Sequence, residues 1–99
     1  MVRILIADDH EVVRSGLRAI LQEQQGWTVV GEAVDGKQAI AKALECKPDV
    51  AIVDYVLPLL NGIEATRQIR ARTPGTEVLV RCDGAGVEVS RGRSTLDGF

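Results

Sequence analysis

The chain has 99 residues, of which 45% are hydrophobic and 26% are charged, and its formal net charge is −2. This length suits one small domain, this composition excludes a disordered chain, and the weak acidity gives no general attraction to nucleic acid. No apolar run approaches the roughly 20 residues of a membrane span, and two cysteines exclude a disulfide framework. We therefore expect a cytoplasmic protein with no membrane partner.

Aliphatic runs alternate with helical patterns along the first 80 residues. Strands are predicted at residues 2–7, 27–34, 50–53 and 77–80. Between them, apolar residues at helical spacing predict three helices, the first with Asp9 as its N-cap and the second capped by Asp35. The order β-α-β-α-β-α-β with short connections predicts an α/β domain, a doubly wound parallel sheet with right-handed crossovers.

The composition changes after Val80, where four of the ten glycines fall in the last nineteen residues. We therefore divide the chain into a core at residues 1–80 and an atypical C-terminal tail at residues 81–99. A short helix near residues 87–91 is one interpretation of the tail, although Gly92 disfavours it.

Acidic residues end two of the predicted strands. Asp8 and Asp9 follow the first strand, and Asp54 ends the third. The carboxyl ends of parallel strands lie at one edge of a sheet, where ligands bind, and three adjacent carboxylates repel one another unless a cation is present. Oxygen ligands suit Mg²⁺, and a carboxylate there can act as a nucleophile toward phosphorus. The alternative for a single acid is helix capping, and His10 is interpreted as a surface residue at a helix start.

Two motifs carry a family resemblance over residues 1–80. The segments IADDH at 6–10 and PDVAIVD at 48–54, followed by Pro58 and Asn61-Gly62, resemble a bacterial two-component response-regulator receiver domain. The details DDH at 8–10 and VRSGL at 13–17 are similar to the branch with a LuxR-type helix-turn-helix output. The resemblance implies a flavodoxin-like (CheY-like) fold with strand order 2-1-3-4-5.

The same resemblance implies a function and a set of site residues. Asp54 would accept a phosphoryl group from a sensor histidine kinase. Mg²⁺ would be bound by Asp9, Asp54 and the backbone carbonyl of Val56, with Asp8 acting largely through water. Two further residues would shape the loop behind the site, namely Pro58 and Gly62.

The sequence departs from the family after the fourth strand. Cys82 stands at the switch position, where the family has Ser or Thr, and Arg81 stands at a normally apolar position. The family's Lys at the end of strand five has no counterpart, and nothing requires Arg91 or Arg93 to replace it. We therefore expect strand order 2-1-3-4 with the fifth strand and fifth helix missing. The tail is either a receiver cut short or unrelated sequence joined to a receiver fragment.

Two functions from different classes follow. The first is a phosphoacceptor domain, not an enzyme, whose phosphotransfer the missing Lys impairs. The alternative is a switch-disabled receiver fragment that acts only as a protein-interaction or self-association module. An aspartyl phosphatase is disfavoured because Val56 stands where a second acid would be needed. DNA binding could belong only to an output domain absent from this chain.

Self-association is a further expectation. Without a fifth strand, residues 78–80 would form an exposed edge, and part of the apolar stripe of the first helix would be uncovered. The alternative is that the tail folds back over this edge, with Val87 and Val89 alternating as in a strand.

Overall fold

A computed structural model describes residues 1–82 and 86–90, with side chains described as far as Arg81. These residues form three helices and five strands. In chain order they are β1 (Val2–Ala7), α1 (Glu11–Gln22), β2 (Trp27–Ala33), α2 (Gly36–Cys46), β3 (Val50–Asp54), α3 (Gly62–Arg72), β4 (Glu77–Cys82) and β5 (Gly86–Ser90).

The sheet has the order β2-β1-β3-β4-β5, and its first four strands are parallel. The predicted parallel order 2-1-3-4 is therefore confirmed. Strand β3 is central because residues 50–53 are apolar throughout, so the strand can be buried on both faces.

The fifth strand corrects one prediction. A parallel fifth strand with its own helix was expected to be missing, which would have exposed the edge of β4. Instead β5 pairs antiparallel with β4, with Cys82 opposite Gly86 and Val80 opposite Glu88. An antiparallel neighbour, unlike a parallel one, needs no crossover helix. The helix considered near residues 87–91 is wrong over residues 87–90, which belong to β5, and residues 91–99 lie outside the described part of the chain.

The two faces of the sheet carry different helices. On one face, α2 and α3 pack over a buried cluster that includes Leu5, Val53, Val78 and Ile69. On the other face, α1 covers Ile4, Ile6 and Ile52 with its half-buried leucines. Among the described residues, no helix combines the length and the apolar character needed to cross a membrane.

Helix capping agrees with the sequence at α2 but not at α1. Asp35 Oδ1 accepts a hydrogen bond of 2.7 Å from the backbone N–H of Gln38, as predicted. The N-cap position of α1 is His10, which makes no side-chain capping bond, so the prediction for Asp9 was wrong. The reason is the preceding Asp8, whose carboxylate accepts the backbone N–H of His10 at 2.8 Å and so sets the chain direction into the helix.

Candidate functional site

The predicted acidic residues meet at the carboxyl edge of the sheet. Ala7 pairs with Val53, so the residues that follow them, Asp8 and Asp54, emerge side by side. Asp8, Asp9, His10 and Asp54 each offer one ligand atom, and these four atoms lie within 4.8 Å of one another. The structure therefore brings the three carboxylates together, and it adds the imidazole of His10.

The three carboxylates differ in their exposure to solvent. Asp8 is 1% exposed and Asp54 8% exposed, whereas the Asp9 side chain is 35% exposed. Burial, followed by the charge of Asp8, raises the pKa of Asp54, and a hydrogen bond from the Val56 backbone together with the charge of Arg81 opposes this shift. Asp54 is thus a nearly buried carboxylate in a crowded acidic site, whereas Asp9 lies at its open side.

Asp8 is held by donors on both oxygens. Its Oδ1 lies 2.8 Å from both the backbone nitrogen and Nδ1 of His10, and its Oδ2 lies 2.7 Å from Nη1 of Arg81. The backbone carbonyl of Asp8 accepts a further bond of 2.7 Å from Arg14, whose Nε also pairs with Glu32. Asp8 is therefore the most constrained acid of the site.

His10 is more than a surface residue at a helix start. Its side chain is 65% exposed, as expected, yet its Nδ1 also lies 3.2 Å from a carboxylate oxygen of Asp9. The hydrogen bond with Asp8, and then the charge of Asp9, raise the pKa of the imidazole. The single histidine therefore belongs to the edge of the acidic site.

Arg81 is the site residue that sequence reasoning missed. It was recognised only as a departure from an apolar position, and the distant Arg91 and Arg93 were considered as substitutes for the family's lysine. Arg81 is paired with Asp54 in the sheet register, and its side chain extends past β3 to reach Asp8, the residue that follows β1. The available signal was the charge itself, because a charged residue inside an apolar strand requires a partner.

The loop after β3 is fixed by close backbone contacts. A Cβ added to Gly62 would lie 2.2 Å from the Asp54 carbonyl oxygen, so only glycine fits there. The Pro58 carbonyl accepts the backbone N–H groups of Gly36 and Leu60. Asn61 caps α3 by accepting the backbone N–H of Glu64 at 2.9 Å. These contacts fix the backbone of the loop, and the loop-shaping roles of Pro58 and Gly62 stay predictions.

Two further predicted site residues are Val56 and Cys82. Val56 is 62% exposed, and its described contact with the site is the hydrogen bond from its backbone to Asp54. The backbone of Cys82 pairs with Gly86, and its side chain lies outside the described residues. The role of Cys82 at the switch position therefore stays a prediction.

The donor set fits a hard divalent cation. Carboxylate oxygens are the ligands that Mg²⁺ prefers, and it needs only one or two of them alongside water and substrate oxygens. Asp9 and Asp54 offer such oxygens, and the exposed side of the site leaves room for water.

Comparison with known proteins identifies the family. The profile of the response regulator receiver domain matches residues 4–88. The chain belongs to this family. The transcriptional regulatory protein LiaR of Bacillus subtilis is 44% identical over 80 residues, which cover 81% of this chain and 38% of that protein. This receiver thus spans well under half the length of the curated relative that it matches.

Solved structures agree with this assignment. The LuxR-family response regulator of Aurantimonas sp. SI85-9A1 superposes with a TM-score of 0.80 at 37% identity, covering 87% of this chain and 61% of that one. The response regulator domain of Thermotoga maritima CheB gives a TM-score of 0.79 at 39% identity, covering 87% and 66%. The receiver fold and a phosphoacceptor role in two-component signalling follow from this membership.

Proposed function

We propose that Asp54 is the phosphoacceptor of this receiver and that a sensor histidine kinase is its donor. The observation that carries this assignment is the convergence of Asp8, Asp9 and Asp54, with Asp54 at the end of the central strand. Asp8 is held on both oxygens and Asp9 lies at the solvent side, so Asp54 is the acid whose carboxylate is placed for attack.

The transfer follows from the chemistry of the groups. An oxygen of the Asp54 carboxylate attacks phosphorus, the bond between phosphorus and the donor's imidazole nitrogen breaks, and an acyl phosphate forms. The imidazole leaves with the bonding pair and takes a proton from solvent. Asp9, Asp54 and the Val56 carbonyl would hold Mg²⁺, with Asp8 acting through water, and the cation supplies charge neutralisation for the phosphoryl oxygens.

A small phosphodonor tests the assignment without the cognate kinase. The chain is incubated with acetyl phosphate and Mg²⁺, and its intact mass is measured before and after. We expect one covalent phosphate on the parent chain and none on Asp54→Asn. Phosphate that persists in Asp54→Asn and maps to Asp8 or Asp9 would contradict the assignment.

Mg²⁺ binding is a separate test of the site. Asp9→Ala removes one charged ligand from a site that has few, so we expect weaker Mg²⁺ binding by calorimetry. Asp49→Ala is the matched control, because Asp49 bonds the Arg3 backbone rather than the site. Equal affinity in Asp9→Ala and the parent chain would remove Asp9 from the ligand set.

We place the receiver core at residues 1–80, followed by an atypical tail at residues 81–99. We also propose a cytoplasmic location, and we expect that the domain has no enzymatic turnover of its own. DNA binding would require an output domain, as in the transcriptional regulators to which this chain is similar. The switch-disabled alternative is not favoured by the comparisons.

Self-association was predicted through the edge of β4 or through the apolar stripe of α1. The edge of β4 is covered by β5, so pairing through that edge is wrong. The remaining route is α1, where Val12 is 84% and Ile20 is 61% exposed. Light scattering over a wide concentration range tests it: we expect association that Ile20→Glu weakens, and a parent chain that stays monomeric contradicts it.

A further inference from the structure

Arg81 reaches the acidic site from β4, two strands away from β1, which Asp8 follows. Its backbone is fixed in the middle of the sheet, paired with Asp54 on one side and Val87 on the other. Its carbonyl also accepts the Tyr55 backbone N–H at 2.7 Å. From this anchored position the guanidinium reaches Asp8 Oδ2 at 2.7 Å, and the two side chains are 20% and 2% exposed. This is a largely buried ion pair within the cluster that would bind a cation.

The charges explain why the pair forms. Three carboxylates in one cluster repel one another, and a buried charge such as that of Asp8 is costly unless it is paired. A guanidinium stays protonated under all ordinary conditions, and it has donors but no lone pair that could bind a metal. Arg81 can therefore neutralise the site, but it cannot contribute a ligand to a divalent cation.

We propose that Arg81 is a resident counter-ion that competes with Mg²⁺ for the acidic site. The inference rests on the proposed function, because it concerns the cation that the function requires. Both oxygens of Asp8 are occupied, one by His10 and one by Arg81. A divalent cation beside Asp8 and Asp54 would meet the positive charge of Arg81 at close range, so Arg81 must leave Asp8 before the cation can bind tightly.

The competition has a consequence for stability. In the metal-free chain, the positive charge of Arg81 offsets the negative charge of the buried Asp8 and so stabilises the acidic cluster. Its removal should destabilise the metal-free chain, since a buried charge then loses its partner. The same removal should strengthen Mg²⁺ binding, so that the metal restores more stability to the variant than to the parent chain.

Calorimetry on Arg81→Met tests the competition. We expect Mg²⁺ to bind Arg81→Met about tenfold more tightly than the parent chain. We also expect a lower Tm in chelator and a larger rise in Tm on adding Mg²⁺. Arg67→Met is the matched control, because it removes the same charge from an exposed pair with Glu64 on α3. Its Mg²⁺ affinity should equal that of the parent chain.

The outcomes separate this inference from the proposed function. Equal or weaker Mg²⁺ binding in Arg81→Met overturns the competition, whereas phosphorylation of Asp54 in the parent chain would still stand. Absence of Mg²⁺ binding in the parent and in Arg81→Met alike overturns both the competition and the metal site of the proposed function.

A second measurement uses the parent chain alone and so does not depend on the variant folding. The side-chain N–H resonances of Arg81, assigned by through-bond correlation with its own backbone, report its pairing with Asp8. We expect Mg²⁺ to shift these resonances toward those of a solvated guanidinium, and Ca²⁺ to do so at a higher concentration. Resonances that stay unchanged when Mg²⁺ saturates the site would contradict displacement.

Discussion

The helices on the two faces of the sheet differ in how deeply their side chains are buried. On the face of α2 and α3, helix residues such as Ala43 and Ile69 are at most 1% exposed and close over the sheet. On the other face, α1 contributes no fully buried residue within the described part of the chain. Residues alternate along a strand, so Asp8 and Arg81, which follow Ile6 and Leu79 at a spacing of two, lie on the α1 side. The deeply buried side chains of the helices therefore lie on the face of α2 and α3. The charged side chains of the acidic site lie at one end of the α1 face.

The largest contrast should appear on truncating one large side chain from each face. Ile69→Ala removes a fully buried side chain from α3 and should cost about 2–5 kcal/mol of unfolding free energy. Ile20→Ala, 61% exposed on α1, should change it by less than about 0.5 kcal/mol. Denaturant unfolding of both variants measures the difference. Equal losses would show that α1 is packed as deeply as α3.

A glycine pair sharpens the same comparison. Gly62, at the start of α3, lies against the Asp54 backbone, so Gly62→Ala should destabilise the chain by more than about 1 kcal/mol. A Cβ added to Gly16 of α1 would meet no atom of the described residues within 4 Å, so Gly16→Ala should stabilise the helix by about 0.5–1 kcal/mol. Opposite signs in thermal unfolding are expected, and a stabilising Gly62→Ala would contradict the close approach.

The acidic end of the α1 face predicts a pH-dependent effect. Burial and Asp8 raise the folded-state pKa of Asp54 above its unfolded value, so ionisation of Asp54 destabilises the fold. Stability should therefore fall as pH rises from the unfolded pKa through the folded one. Asp54→Asn should therefore be more stable than the parent chain at neutral pH, and this gain should vanish once pH falls below the unfolded pKa of the carboxyl, about 4. A gain that persists at low pH would assign it to packing instead.

The smallest expected effect concerns a buried hydroxyl group on the face of α2 and α3. Thr66 of α3 is fully buried, and its Oγ1 has no hydrogen-bond partner among the described residues. Thr66→Val should be neutral or stabilising by a few tenths of a kcal/mol. Thr76→Val is the contrast, because the Thr76 hydroxyl donates to the Pro48 carbonyl at 2.6 Å, and it should cost about 1–3 kcal/mol. A large loss in Thr66→Val would indicate a partner for its hydroxyl.

The sequence predicted the parallel core and the acidic site because both follow from local patterns. The apolar runs that end at Asp8 and Asp54 indicate buried strands and show which end of each strand carries the acid. Because the strands pair in parallel, the two acids then lie at the same edge of the sheet. The cap of α1 was predicted wrongly, because the competing hydrogen bond from His10 to Asp8 depends on the geometry of the site.

Two features could not be read from spacing alone. The return of the chain as β5 was weighed only as an alternative, because a weak alternation at Val87 and Val89 does not by itself choose between a hairpin and an uncovered edge. The Arg81 ion pair depends on how far a long side chain reaches across β3, and sequence separation carries no information on that distance. Charge in an apolar strand indicated that a partner exists, but only the fold identified Asp8.

The most direct test of the account is to locate the phosphate on the chain. After incubation with acetyl phosphate and Mg²⁺, borohydride reduction converts an acyl phosphate to an alcohol, which peptide mass spectrometry can assign to one residue. We expect a single modified residue, Asp54, and no modification of Asp54→Asn. Modification at Asp8 or Asp9, or an unmodified parent chain under the same conditions, would contradict it.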